Sequence, residues 1–450
     1  MAQFLVTNEA ELRLAFEAAS TFGRRNTIIF EEDSEIVLTQ GLEYTGSGNL
    51  ILRGNGAELV AGEDFQTYEG AGAELDGFGV ALITSRSSAN FRIFNLELDG
   101  NDGRAQHGFE LDVPADAEGV IETSFNGVEV EGFWDHGIHI DDQAGAAGGG
   151  GTTQGGKDDL TGANSDASLN VRIINSEIEE NGIYADRGSV SDNDGFRVDE
   201  GGVGSAVVTI RNSVFVANGA DGFELDETRA GRAEVDVDFS VFNDNGAFDL
   251  NDTDDGLDVD EAGKGKLVAT VRNSVFNGNF DEGLDLDEAG RGNIFVEVEN
   301  TFANNNGNAK LGGAATDPGG TGIKLSEEQS GNIFAEFINS QANGNDDYGF
   351  RLEQFGGGEI DALFEGVWAL DNRNDIPGEG GRNGIRLESF ANDDGVEPEV
   401  LNPVFAEFNT VIATGNGREG LRVDAEPFVA MFRGENIFDF VDFSSTTIFV

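Results

Sequence analysis

The chain has 450 residues, and 85 Asp and Glu against 27 Lys and Arg leave a net charge of −58. Such a surface repels nucleic acid and anionic membranes and attracts cations, and no run of 18 apolar residues offers a transmembrane helix. Cysteine is absent, which excludes disulfides and thiol chemistry, and 65 Gly against 6 Pro suit many tight turns between short strands.

The opening Met1-Ala-Gln-Phe-Leu-Val-Thr-Asn-Glu lacks the charged and apolar regions of a classical signal peptide. Residues 7–20 are predicted as one helix, capped by Thr7 or Asn8, with Leu12, Leu14, Phe16 and Ala19 on its apolar face. Thr27-Ile-Ile-Phe30, Ile36-Val-Leu38 and Leu50-Ile-Leu52 follow as β-branched and aromatic strands, with Gly54-Asn-Gly56 as a turn.

From there one pattern recurs: Gly, apolar, any residue, apolar. It opens at Gly108-Phe-Glu-Leu, Gly137-Ile-His-Ile, Gly195-Phe-Arg-Val, Gly222-Phe-Glu-Leu and Gly256-Leu-Asp-Val. It continues at Gly283-Leu-Asp-Leu, Gly322-Ile-Lys-Leu, Gly349-Phe-Arg-Leu, Gly384-Ile-Arg-Leu and Gly420-Leu-Arg-Val, with a fainter copy at Gly79-Val-Ala-Leu. The base period is 27 residues, seen from Gly195 to Gly222, Gly256 to Gly283 and Gly322 to Gly349. A repeat of this length buries its apolar face only against its neighbours, and the alternation puts every second side chain inside. Asn181, Asn218, Asn245, Asn279, Asn345 and Asn416 are read as structural corners, tolerant of left-handed backbone and able to bond up the stack.

The Gly-apolar-X-apolar strands, the Asn-Ser-Val-Phe strands (Val271-Arg-Asn-Ser-Val-Phe276) and the Asn corners resemble the right-handed parallel β-helix proteins of the pectate-lyase-like superfamily. The opening helix and Asn49-Leu-Ile-Leu-Arg-Gly-Asn-Gly56 are similar to that superfamily's N-terminal cap. The resemblance implies an all-β chain, a right-handed parallel β-helix with an N-terminal capping helix. The expected domains are a cap and first strands over 1–60, coils over 61–435, and a tail or cap over 436–450. Insertions fall at 141–167, 182–194, 246–255, 307–321 and 373–383, and long and short corners alternate, so the long loops leave one edge of the solenoid.

The outward residue at the middle of each strand forms a column: Glu110, His139, Arg197, Glu224, Asp258, Asp285, Lys324, Arg351, Arg386 and Arg422. Glu224, Asp258 and Asp285 repel one another unless a cation sits among them. Lys324 through Arg422 form a basic strip suited to a uronate or sulfated polymer, with Arg197 as a further contact, unless loop acids such as Glu327, Glu353 and Glu388 answer it. Superfamily members that cleave acidic polysaccharides place calcium-binding acids and a basic residue on this face. The resemblance therefore implies Glu224, Asp258 and Asp285 as metal ligands and Lys324 or Arg351 as the base. The Asn-Thr-Asp, Gly-His-Gly and Asp-Pro-His-Glu signatures of its hydrolases and epimerases are absent here. A second column of pairs, Asp199/Glu200, Asp226/Glu227, Asp260/Glu261, Asp287/Glu288 and Ser326/Glu327, is expected to be a hydrated acidic corner or a further calcium ladder. His107, His136 and His139 should cluster near Asp135 and Glu110, as a structural stack, a metal site or an acid–base group with His139 catalytic.

These features lead to two expectations. One is an extracellular, calcium-dependent, monomeric protein that binds an acidic polysaccharide and acts on it as a lyase if it is an enzyme. The other is a non-enzymatic, calcium-stabilised surface or adhesive solenoid. The tail Asn436-Ile-Phe-Asp-Phe-Val-Asp-Phe-Ser-Ser-Thr-Thr-Ile-Phe-Val450 resembles the uncleaved C-terminal signals of one-step (type I) bacterial secretion; the alternative is a closing strand.

Overall fold

The computed structural model describes all residues except 1, 66–80, 144–163, 185–192, 249–253, 308–318, 374–381, 391–400, 444–446 and 450. Half or more of each expected insertion lies outside the described residues. The chain divides into two compact units, Met1–Ala230 and Gly231–Val450. Both are built from parallel strands, as the resemblance implied, and the only helix among the described residues is at the N-terminal end.

The first unit opens with strand Ala2–Val6 and helix Glu9–Thr21. Asn8 caps the helix by accepting the Glu11 N–H at 3.1 Å. Leu12, Ala15, Phe16 and Ala19 are buried, whereas Leu14 is 65% exposed, so the apolar stripe is narrower than the sequence reading. Gly54-Asn-Gly56 is not a turn. It is a bulge inside strand Leu50–Ala61, where the pairing shifts between Arg53 and Ala57 and Asn55 and Gly56 take φ of 57° and 79°.

Each coil then holds two main strands and a short third. Wall I of the first unit stacks Phe91–Asp99, Glu118–Asn126, Asp166–Ile174 and Ala206–Arg211. Wall II stacks Ile83–Ser85, Phe109–Asp112, Ile138–Asp142, Phe196–Glu200 and Phe223–Glu227, all parallel and in register. Ile83 pairs with Phe109, so Leu82 stands where later coils have Gly. The fainter copy begins three residues later than Gly79-Val-Ala-Leu suggests.

The second unit repeats the plan with Leu257–Glu261, Leu284–Glu288, Ile323–Glu327, Phe350–Phe355, Ile385–Phe390 and Leu421–Asp424 in wall II. Leu257, Leu284, Ile323, Phe350, Ile385 and Leu421 form one inward column, each 0% exposed. In wall I, Phe337, Phe364 and Phe408 stack at 5.0 and 5.3 Å. The tail supplies a last coil: Ile437–Phe438, Val441–Phe443 and Thr447–Phe449 pair in parallel with Ile412–Ala413, Leu421–Val423 and Phe428–Ala430.

The corner Asn residues lock the stack. In the second unit Asn279 Nδ2 donates to Asn306 Oδ1 at 3.2 Å, Asn306 to Asn345 at 3.1 Å and Asn345 to Asn372 at 3.0 Å. Each Oδ1 also takes the backbone N–H of the Asn below. Left-handed backbone falls elsewhere, at Asn273, Asn300 and Asn339, where the chain bends between strands. The strand glycines make room for this ladder. A Cβ on Gly283 would lie 2.7 Å from Asn306 Nδ2, and one on Gly322 2.7 Å from Asn345 Nδ2.

Asn306→Ala removes four hydrogen bonds from a buried corner, although Asn279 Nδ2 keeps the Phe242 carbonyl and Asn345 Oδ1 keeps a backbone N–H. We expect a loss of about 1–3 kcal/mol for each group left unsatisfied, read as a lower urea midpoint. An unchanged midpoint would mean the ladder does not hold the coils.

Candidate functional site

The outer face of wall II carries the titratable columns, and the two units use it differently. In the first unit Glu110, His139, Arg197 and Glu224 stack in register, flanked by Asp112, Asp141, Asp199 and Asp226. His107, His136, Asp194 and Asp221 precede the strand glycines on the same edge. This outward face is buried: Arg197 is 1% exposed, His139 2% and Asp199 0%.

Arg197 is held from all sides. Its Nε donates to Asp199 at 3.1 Å, Nη1 to Asp194 at 3.3 Å and to Glu224, and Nη2 to Asp226 at 2.8 Å. His139 Nε2 lies 2.7 Å from Asp199 Oδ2. Burial alone would lower the His139 ring, but the Asp199 hydrogen bond and charge outweigh it and push it up to about 10. Burial would raise the Asp199 carboxyl, and Arg197 and His139 together hold it below the usual carboxylate range. Burial pushes Glu224 up despite the Arg197 charge. The result is a closed ionic cluster. It contains the sequence candidates His139, Arg197 and Glu224, and gives each an internal partner.

The three His residues do gather. The His107 and His136 rings stack at 5.5 Å and 9°, and His139 lies 4.9 Å from His136. His107 Nδ1 faces the His136 carbonyl at 3.3 Å, while His136 Nδ1 accepts the Asp194 N–H at 3.0 Å, which places the His136 proton on Nε2, toward Asp135. Burial drives His107 down to about 3. Burial works against a charge on His136, but Asp135 and Asp194 outweigh it and raise the ring above its ordinary value, so the stack sets a neutral His107 beside a charged His139.

In the second unit the column runs Asp258, Asp285, Lys324, Arg351, Arg386, Arg422. One carboxylate oxygen from each of Asp255, Asp258 and Asp285 lies within 4.8 Å of the others, as does one from each of Asp255, Asp281 and Glu282. Lys324 Nζ meets Asp285 at 2.7 Å and Asp287 at 3.3 Å. Burial lowers Lys324, but these carboxylates outweigh it and keep the ammonium charged. Burial and neighbouring carboxylates push Glu282 and Asp287 well up. One Lys does not neutralise this many acids, and a divalent cation among Asp255, Asp258 and Asp285 is the chemistry the donors suit.

Above Lys324 each base pairs with the acid two residues along its own strand. Arg351 meets Glu353 at 2.5 Å, Arg386 meets Glu388, and Arg422 meets Asp424 at 2.8 Å. Glu353 and Glu388 thus answer the strip as expected of loop acids, although they lie within strands. Glu327 does not, because it points inward. Tyr348 sits among three guanidinium groups, with Arg351 5.0 Å, Arg386 5.4 Å and Arg382 5.9 Å from its ring, and its hydroxyl accepts from Arg386 at 2.7 Å. The Nε atoms of Arg351 and Arg386 have no hydrogen-bond partner among the described residues. These side chains stay 28% and 19% exposed.

Sequence reasoning missed Asp255, Glu282 and Tyr348. Their signal was available: each immediately precedes a strand glycine, the position noticed only for His107 and His136. The second column also reads differently. Its Asp members face out, but Glu200, Glu227, Glu261, Glu288 and Glu327 are each 0% exposed, so it is no hydrated corner.

No family model and no curated protein sequence matches the chain. Among solved structures it is similar to a pectate lyase (16% identity over 94% of this chain and 68% of that one, TM-score 0.29). It is also similar to an alginate lyase from Paenibacillus sp. (14%, 80% and 97%, TM-score 0.38). A third is the A-module of a mannuronan C-5 epimerase from Azotobacter vinelandii (14%, 98% and 92%, TM-score 0.43).

Arg197→Met should cost about 3–5 kcal/mol, because it strands buried carboxylates, whereas Arg422→Met on the open part of the face should cost under about 1 kcal/mol. Equal melting-temperature losses in the two variants would contradict the closed-cluster reading.

Proposed function

We propose that the protein binds an acidic polysaccharide along the outer face of wall II in its second unit, with calcium as a structural partner. The observation that carries this reading is the single column Asp258, Asp285, Lys324, Arg351, Arg386, Arg422. A cation site and a row of guanidinium groups lie on one line at the coil spacing of about 4.8 Å. Calcium at Asp255, Asp258 and Asp285 would meet the polymer's carboxylates or sulfates at one end. The partly exposed guanidinium groups of Arg351 and Arg386 would take them further along. Tyr348 orients the forks rather than stacking on sugar, since it is 2% exposed.

The same geometry favours binding over cleavage. A base must be free of its proton. Lys324 is clamped as an ammonium between Asp285 and Asp287, and burial of Arg351 is outweighed by Glu353, which keeps its guanidinium charged. His139 is a buried imidazolium. Calcium sites of extracellular modules bind at about 10⁻⁴–10⁻³ M, and we place the protein outside the cell, where polymer and calcium would both reach this face.

Two measurements test the reading. Calcium should raise the melting temperature over EDTA at matched ionic strength, because a ligand held only by the native state stabilises it. Asp258→Asn with Asp285→Asn should erase the difference. Alginate, pectate or a sulfated glycan should bind in calcium without forming unsaturated ends, and Arg351→Ala with Arg386→Ala should weaken binding about tenfold or more. A parent protein that binds none of these polymers would refute the proposal, and release of unsaturated products would show that it is a lyase.

A further inference from the structure

On the wall II strands of the second unit from Leu257–Glu261 to Ile385–Phe390, the last inward position is polar. Glu261, Glu288 and Glu327 stack in register, and Gln354 and Ser389 take the next two rungs. All are 0% exposed. One oxygen of each Glu serves the following turn. Oε1 of Glu261 accepts the N–H of Gly263 at 3.1 Å and of Gly265 at 3.0 Å. Oε1 of Glu288 accepts those of Gly290 at 3.2 Å and Gly292 at 2.8 Å, and Oε1 of Glu327 that of Gln329 at 3.2 Å.

The other oxygens point along the column. Glu327 Oε2 accepts the Gln354 amide N–H at 2.8 Å, so that rung has a permanent donor. One rung below, Glu288 has no such amide. The Glu288 carboxyl stands within hydrogen-bonding reach of Glu261 on one side and Glu327 on the other, and its Oε2 is buried without a donor. Ionised carboxylates are acceptors only, so facing pairs need a proton between them.

We propose that this column is a set of proton-binding sites inside the wall, in which Glu261, Glu288 and Glu327 share protons across facing oxygens and lock the coils of the second unit in a pH-dependent way. The titratable groups facing Glu288 are Glu261 and Glu327. Lys264 and Arg291, on the turns after Glu261 and Glu288, are exposed, and the chain beyond the turns continues into the apolar Leu267, Ile294 and Ile333, each 0% exposed. No cation therefore takes the proton's place from within the column.

Burial pushes Glu288 up to about 7, and Glu327 adds to the rise. The first unit carries the same device, for burial and Glu227 push Glu200 up to about 9. The sign follows from linkage. The folded state keeps protons that the unfolded chain, with an ordinary Glu value of 4.5, has released. The stabilisation is therefore complete below pH 4.5 and is lost as pH rises through about 7 for Glu288.

The variant that tests this is Glu288→Gln, which supplies an amide donor at every pH, as Gln354 already does one rung above Glu327. Urea unfolding between about pH 5 and 8 should show the parent losing stability with rising pH, and E288Q losing it with a slope smaller by about one proton. Glu336→Gln, an exposed outward acid on strand Ile333–Ile338, removes the same charge and should leave the slope unchanged. Infrared spectra of the parent at neutral pH provide a readout that does not need the variant to fold. They should show the carbonyl stretch of a buried protonated carboxyl, and E288Q should weaken it. A parental slope in E288Q, an equal flattening in E336Q, or a parent with no protonated carboxyl at neutral pH would overturn the proposal.

Discussion

Stacking in register is the constraint on which the rest of this structure depends. Each coil places its residues about 4.8 Å from their equivalents in the next, and the Asn ladder forbids slippage. An apolar column gains from that spacing, as the Phe337, Phe364, Phe408 row does. A column of like charges suffers from it, because opposed like charges destabilise a sheet. A chain with 85 acids must therefore neutralise its columns one by one.

The molecule does this in three ways. In the first unit it mixes signs, so that His139 and Arg197 stand in register between Glu110 and Glu224 and the face closes over as a buried ionic cluster. On the outer face of the second unit it leaves acids together at Asp255, Asp258 and Asp285, where a divalent cation can finish the neutralisation from outside. Inside the wall, Glu261, Glu288 and Glu327 are cut off from solvent, and protons serve instead. The proposed ligand surface arises from the second of these solutions, because only there do both signs of charge remain open to a partner.

The coils were legible because alternation of period two and a 27-residue spacing state where each strand lies and which side it buries. The outer column, from Glu110 to Arg422, follows from the same parity. The inward Glu column follows too, once alternation is carried on: in Leu284-Asp-Leu-Asp-Glu288 the leucines and Glu288 share one side. That step conflicts with the usual rule that Glu seeks water, and the turn N–H groups that reward its burial are long-range facts. The enclosure of Arg197 was not readable, since periodicity specifies the side of a sheet but not whether that side is covered. Leu14 failed for the opposite reason: helical spacing offered it a place on the buried stripe, yet the first coil covers only Leu12, Ala15, Phe16 and Ala19.

The account stands most directly on whether a cation completes the acidic end of the outer column. A crystal grown in calcium and measured for anomalous scattering would decide it. The account predicts a peak among Asp255, Asp258 and Asp285, with carboxylate oxygens about 2.3–2.6 Å away and Lys324 still on Asp287. Ordered carboxylates with no anomalous peak at millimolar calcium, or a peak that avoids all three residues, would contradict it.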